Sequence, residues 1–133
     1  MMLRQALLPG IAAVMILTAC GKIDAPVDAS YSPDYHAPED VLFVRDQTLD
    51  YVREHYPDRA PAPDLQWEAA DISRIANSAS YAFHSGDWYV VIDYPKVRPQ
   101  LMFYDTAVLN PSAGFAWKGQ VDPDGTVTEI KGP

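Results

Sequence analysis

Several things are scarce in this chain. Among its 133 residues there is one cysteine, Cys20, so neither an intramolecular disulfide nor a cysteine-rich zinc site can form. Bases are few as well: 10 against 18 acids, a formal net charge of −8. An acidic field repels phosphates, which excludes a basic nucleic-acid-binding surface, and no nucleic acid is expected as a partner. The longest apolar run, Ala6 to Leu17, is only about 12 residues and is broken by Pro9-Gly10, whereas a spanning helix needs roughly 20. No Walker loop, Gly-x-Gly-x-x-Gly, Gly-x-Ser-x-Gly elbow or His-Glu-x-x-His is present. Proline is plentiful, 12 residues, and marks extended connectors. The length suits one domain and not two.

The apolar run follows Arg4 and reads as an export signal that does not belong to the fold. Its end, Leu17-Thr18-Ala19-Cys20, resembles a bacterial lipobox, with small residues before an obligatory cysteine. The resemblance to bacterial lipoproteins implies cleavage before Cys20 and a diacylglyceryl thioether on its sulfur. The lone cysteine is then neither redox-active nor a ligand. Acyl chains gain about 0.8 kcal/mol per buried CH₂, so attachment to the membrane is durable. Gly21, not Asp, follows the cysteine. By the same resemblance, the protein is exported to the outer membrane of a two-membrane bacterium, or to the outer face of the cell membrane otherwise. The expected division is residues 1–19 as signal, 20–37 as a flexible tether and 38–131 as a single small domain.

A helix is expected from about Pro38 to Tyr56. Pro38 suits the first turn, and Glu39 and Asp40 place negative charge at the positive end of the dipole. Val41, Val44, Thr48, Leu49, Val52 and Tyr56 recur at three- and four-residue intervals and share a face, while Asp46, Asp50, Arg53 and Glu54 fall opposite. Phe43 is the one apolar misfit. Pro57 ends the helix, and residues 58–64 form a proline-rich connector.

From Leu65 onward the pattern changes to short β segments separated by turn signals. Strands are expected at Leu65–Ala69, Ser80–His84, Trp88–Tyr94, Leu101–Leu109, Phe115–Val121 and Thr126–Ile130, with Asp71–Ala79 ambiguous and Pro95–Pro99 a loop. The fold class is α+β: one N-terminal amphipathic helix packed on an antiparallel β-meander of about four to six strands. Trp88, Val90, Ile92, Phe103 or Tyr104, Phe115, Trp117 and Val127 share the face that the helix covers.

Chemistry is thin. His36, His55 and His84 show no metal-ligand spacing, and no metal or cofactor is expected. His84 has Ser85, Asp87 and Asp93 near it in sequence, which leaves a small hydrolase using His84 with Asp87 or Asp93 as one alternative. Asp122-Pro-Asp124-Gly125 invites a calcium reading but fits a hairpin turn better, because Gln120 and Glu129 miss the required ligand spacing. Acidity is uneven: twelve acids and three bases lie between Asp24 and Asp71, against six acids and five bases from Ile72 onward. That fits a solvated acidic face.

Aromatics crowd the second half. Tyr89, Tyr94 and Tyr104 are expected to alternate away from the core and, with His84, to form an exposed sheet surface for a protein or glycan partner. Tyr31 and Tyr35 are read as solvated residues of the tether, with a docking motif as the alternative. Trp88-Tyr89-Val90-Val91, Trp117-Lys118-Gly119-Gln120-Val121-Asp122 and Gly125-Thr126-Val127 resemble small exported domains of the PepSY or cystatin-like sort, which implies helix against antiparallel sheet and binding, not catalysis. The Gln-x-Val-x-Gly hairpin of cystatins is missing, so protease inhibition is not carried over. The expected function is that of a lipid-anchored envelope protein acting as a non-catalytic binding or accessory module; a purely structural envelope lipoprotein is a further alternative.

Overall fold

The computed structural model describes residues 24–73 and 80–130. The signal, Cys20 and most of the ambiguous stretch before Ser80 lie outside the described residues. One helix, α1 (Glu39–His55), precedes seven strands: β1 (Glu68–Asp71), β2 (Tyr81–Ser85), β3 (Trp88–Ile92), β4 (Lys96–Arg98), β5 (Leu101–Asn110), β6 (Phe115–Val121) and β7 (Val127–Glu129). Every pairing is antiparallel. The sheet runs β1-β2-β3-β5-β6-β7, and β4 pairs with the start of β5. The architecture is α+β, with seven strands where four to six were expected.

The additional strand is β4. Its register, Lys96↔Phe103, Val97↔Met102 and Arg98↔Leu101, turns the expected Pro95–Pro99 loop into half of a tight hairpin, with Gln100 at φ 66° in the turn.

Helix α1 forms where the periodicity places it. Val41, Val44, Thr48, Leu49 and Val52 are its buried residues. The Thr48 hydroxyl donates to the Val44 carbonyl at 2.8 Å, which satisfies the one buried polar side chain on that stripe. Phe43 stays largely exposed and leans toward Gly125 in the β6–β7 turn. Arg53 donates to the carbonyls of Pro61 and Ala62 and so fastens the proline-rich connector to the helix.

Against α1 lie Phe83, Val90, Ile92, Tyr104, Val108, Phe115, Trp117 and Val121, which form the main core. The sheet's other face is a second, smaller layer of Ala70, Ile72, Ala82, Val91, Ala107 and Leu109. It is not open to solvent, because Ala25, Ala29 and Tyr31 pack on it. This corrects the tether reading for residues 24–37. Successive turns fold the segment compactly, Ser32 N–H donates to the Ala69 carbonyl at 3.1 Å, and Tyr31 hydroxyl donates to the Pro26 carbonyl at 2.7 Å. The segment is a strap across the sheet. Two layers therefore cover the sheet, and the aromatic surface expected on its free face is displaced to its ends.

Candidate functional site

The four residues expected to form one surface are divided between two places. His84 and Tyr89 are Cα partners at the β2–β3 hairpin. On the strap side, the His84 ring centroid lies 5.0 Å from that of Tyr31 and 5.4 Å from that of Tyr89. Tyr89 is half-buried there and His84 Nδ1 is buried without a hydrogen-bond partner among the described residues. Burial pushes the Tyr31 phenol well above the usual range, and the neighbouring Tyr89 adds to it. The stack thus serves to hold the strap.

Nor does the fold bring His84 to Asp93. Tyr89 faces His84, and Asp93 lies four positions beyond Tyr89 along the strand direction, roughly 13 Å at about 3.3 Å per residue. Asp87 sits exposed in the hairpin turn. Asp93 is instead held by Lys96, whose Nζ is 2.8 Å from Asp93 Oδ2 and 3.8 Å from Asp105 Oδ2.

At the opposite end of the sheet, Tyr94 and Tyr104 belong to a cluster of tyrosines beside the N-terminus of α1. Tyr94 is 45% exposed, and its ring meets Tyr81 edge-on at 5.6 Å. Tyr81 is placed by its register with Asp71 on one side and Ile92 on the other. Tyr104, expected on the surface, is only 4% exposed, because β5 turns it and not Phe103 toward α1. Its hydroxyl donates to Asp40 Oδ2 at 2.5 Å, tying β5 to the first turn of the helix. Phe103 points to the other face and is also buried.

The electrostatics follow from this crowding. Burial is the main reason that the Tyr104 phenol is pushed up to about 12, with the hydrogen bond to Asp40 second. Burial likewise raises Tyr81, with the neighbouring Tyr94 and Tyr35 phenols next and the Asp71 and Asp40 carboxylates adding to it. Tyr35 is raised by burial first, then by Asp71 and Tyr94. These phenols stay neutral at physiological pH. They offer ring faces and hydroxyls beside two carboxylates, which suits stacking and hydrogen bonding to a sugar or to a polar protein segment. They hold no activated nucleophile.

Tyr81 was missed in the sequence, and Tyr35 was set aside there as a solvated tether residue. Tyr35 lies in a proline-punctuated stretch that carries no periodic signal, and Tyr81 looks like any aromatic of an alternating strand. The Asp122–Gly125 segment is a turn: Gly125 N–H donates to the Asp122 carbonyl at 2.9 Å, and Asp124 accepts from Thr126 N–H. Among the described residues, no three or more His, Cys, Asp or Glu side chains converge in a way that could hold a metal ion, and no helix is long and apolar enough to cross a membrane.

Compared with protein-family models, curated proteins and solved structures, the chain matches none. Function is therefore argued from its own residues.

Proposed function

We propose that this is a lipid-anchored envelope protein whose ordered body is a non-catalytic binding module, with Tyr94, Tyr81 and Tyr35 as its contact surface for a protein or glycan. The observation that carries this reading is the exposed Tyr94 ring set edge-on against Tyr81 while both sheet faces are otherwise covered. An aromatic left out of the core beside half-buried, neutral phenols has the make-up of a recognition hot spot. The lipobox ending at Cys20 supports the anchor and export. His84, shut under the strap and distant from Asp93, lends the hydrolase alternative no support.

Site-specific photocrosslinking in the living envelope tests the contact surface, with the photoreactive residue in place of Tyr94 and, as a control, in place of Val27. A discrete adduct from position 94 that Tyr81→Ala abolishes supports the module. No adduct at 94, or the same adducts from both positions, overturns it. For the anchor, metabolic palmitate label should be present in the wild type and absent in Cys20→Ser; label that persists in the variant overturns lipidation at Cys20.

A further inference from the structure

A separate feature lies beyond the tyrosine cluster. On β5, β3 pairs with residues 106–109 and β6 with 104–110, so residues 101–103 are paired by β4 alone. Phe103 at its base is still buried, so the β4–β5 hairpin stands about two residues, roughly 7 Å, beyond the packed body. Apolar side chains beside its turn are wet: Val97 is 79% exposed, Leu101 43% and Met102 40%. Elsewhere among the described residues, the exposed large apolar residues apart from nearby Tyr94 are isolated in sequence, at Val27, Phe43 and Ile130. Single exposed apolar residues are ordinary, whereas a projecting group of three calls for an occupant.

Three observations identify it. Val97 and Met102 are Cα partners on one face of the ribbon and Leu101, paired with Arg98, is on the other, so each side presents an exposed apolar side chain. A protein groove covers one side of such a ribbon; a fluid apolar medium wets both. Next, the stretch Tyr94–Met102 carries Lys96 and Arg98 and no acid, in a chain of 18 acids and 10 bases. With Tyr94 and Lys96 at its base, the hairpin sets an aromatic and a cation behind exposed apolar side chains, the order of an interfacial anchor. Lys96 already touches Asp93 and Asp105 at that base, which fixes it there. Finally, four Cα steps separate Cys20 from Asp24, at most about 15 Å of chain, so a lipid on Cys20 keeps the strapped body at the membrane.

We propose that the β4–β5 hairpin inserts Val97, Leu101 and Met102 into the interfacial zone of the lipid surface to which Cys20 is tied. The projection matches the roughly 5–10 Å depth at which interfacial elements sit. A tip this small holds lipid weakly by itself, but the anchor makes its insertion intramolecular. The proposal rests on the reading of Cys20 as the anchor, and the hairpin then fixes the orientation of the body on the membrane.

The test uses the full chain in vesicles of phosphatidylethanolamine and phosphatidylglycerol containing spin-labelled acyl chains. An environment-sensitive fluorescent amino acid replaces Val97 or, as the control, Val27, which is 59% exposed. Quenching at 97 several-fold above that at 27, and lost when Leu101→Asp and Met102→Asp are added, is the expected result. Equal or negligible quenching at the two positions overturns the proposal. So does an unquenched, blue-shifted emission at 97 that fades as the protein is diluted among the vesicles, which marks a second copy as the occupant. A blue shift seen only in native envelopes marks a protein partner and overturns it equally. The aspartates replace exposed side chains, so thermal unfolding should be nearly unchanged. Palmitate labelling at Cys20 is scored separately. If it fails while position 97 is quenched, the anchor reading alone falls; if it succeeds while 97 stays unquenched, only the hairpin proposal falls.

Discussion

The hydroxyl of Tyr56, at the end of α1, is bonded to both carboxylate oxygens of Glu129 in β7, at 2.8 and 2.7 Å, across 73 positions of sequence. Trp117 Nε1–H donates to the same carboxylate at 3.0 Å. Glu129 thus joins the end of the helix, the core tryptophan and a short outer strand.

Removing that carboxylate should loosen all three. Glu129→Ala leaves the indole N–H of Trp117, only 2% exposed, without this acceptor, at a cost of about 1–3 kcal/mol. Glu129→Gln keeps an acceptor and should lose less. Urea unfolding of the two variants checks the order, and an Ala variant as stable as the Gln variant would sink the argument.

Gly119 should tolerate no side chain. A Cβ there would run into the Trp117 ring and lie 2.9 Å from the Thr128 carbonyl oxygen. The indole covers Gly119 on its way to Glu129 and cannot move without giving up that bond. Gly119→Ala is expected to cost about 1–3 kcal/mol by overpacking, read as a lower unfolding midpoint. Gly114→Ala serves as a contrast. A Cβ there meets nothing, and only its positive φ of 68° opposes the change.

Alkali should destabilise the fold through Tyr104. In the unfolded chain its phenol loses its proton near 10, and in the fold only near 12. Between those values the native state binds more protons, so stability is intact below pH 10 and falls as the pH rises toward 12. Over that window the loss from this one group is about 2–3 kcal/mol. Tyr104→Phe should flatten the slope of stability against pH in that range. An unchanged slope would show that the phenol does not govern it.

The strap should detach when its aromatic hold is cut. Tyr31→Ala removes the ring that packs on His84 and Tyr89, together with the hydroxyl bonded to Pro26. A half-buried aromatic lost in this way costs about 1–2 kcal/mol. Hydrogen exchange should quicken at the amides of residues 27–32 while those of β3 keep their protection. Unchanged exchange in the strap would mean that Ala25 and Ala29 suffice to hold it.

The sequence exposes what is local. Helix α1 is legible because Val41, Val44, Leu49 and Val52 repeat with the period of the helix itself, and β6 because Phe115, Trp117, Gly119 and Val121 alternate with exposed or half-exposed neighbours. Strand β4 is illegible for the opposite reason. Three residues between Pro95 and Pro99 become a strand only through Leu101–Phe103, and pairing is not a property of the segment. The strap is hidden by its chemistry. Ala25 and Ala29 pack on the layer that holds Ala70, Ala82 and Ala107, and such small residues leave no hydrophobic pattern to find. Tyr104 was misplaced because alternation says which residues share a face, not which face the helix takes.

In this sheet, spatial order follows chain order apart from β4, which lies off the path, so strands meet through short connections except between β1 and β2 and between β3 and β5. Strand pairing then requires little loop closure, and the sheet can assemble hairpin by hairpin. The long-range step is the docking of α1, completed where Tyr56 reaches Glu129. The entropic cost of distant contacts then falls on the pieces that dock from outside the sheet, the helix and the strap.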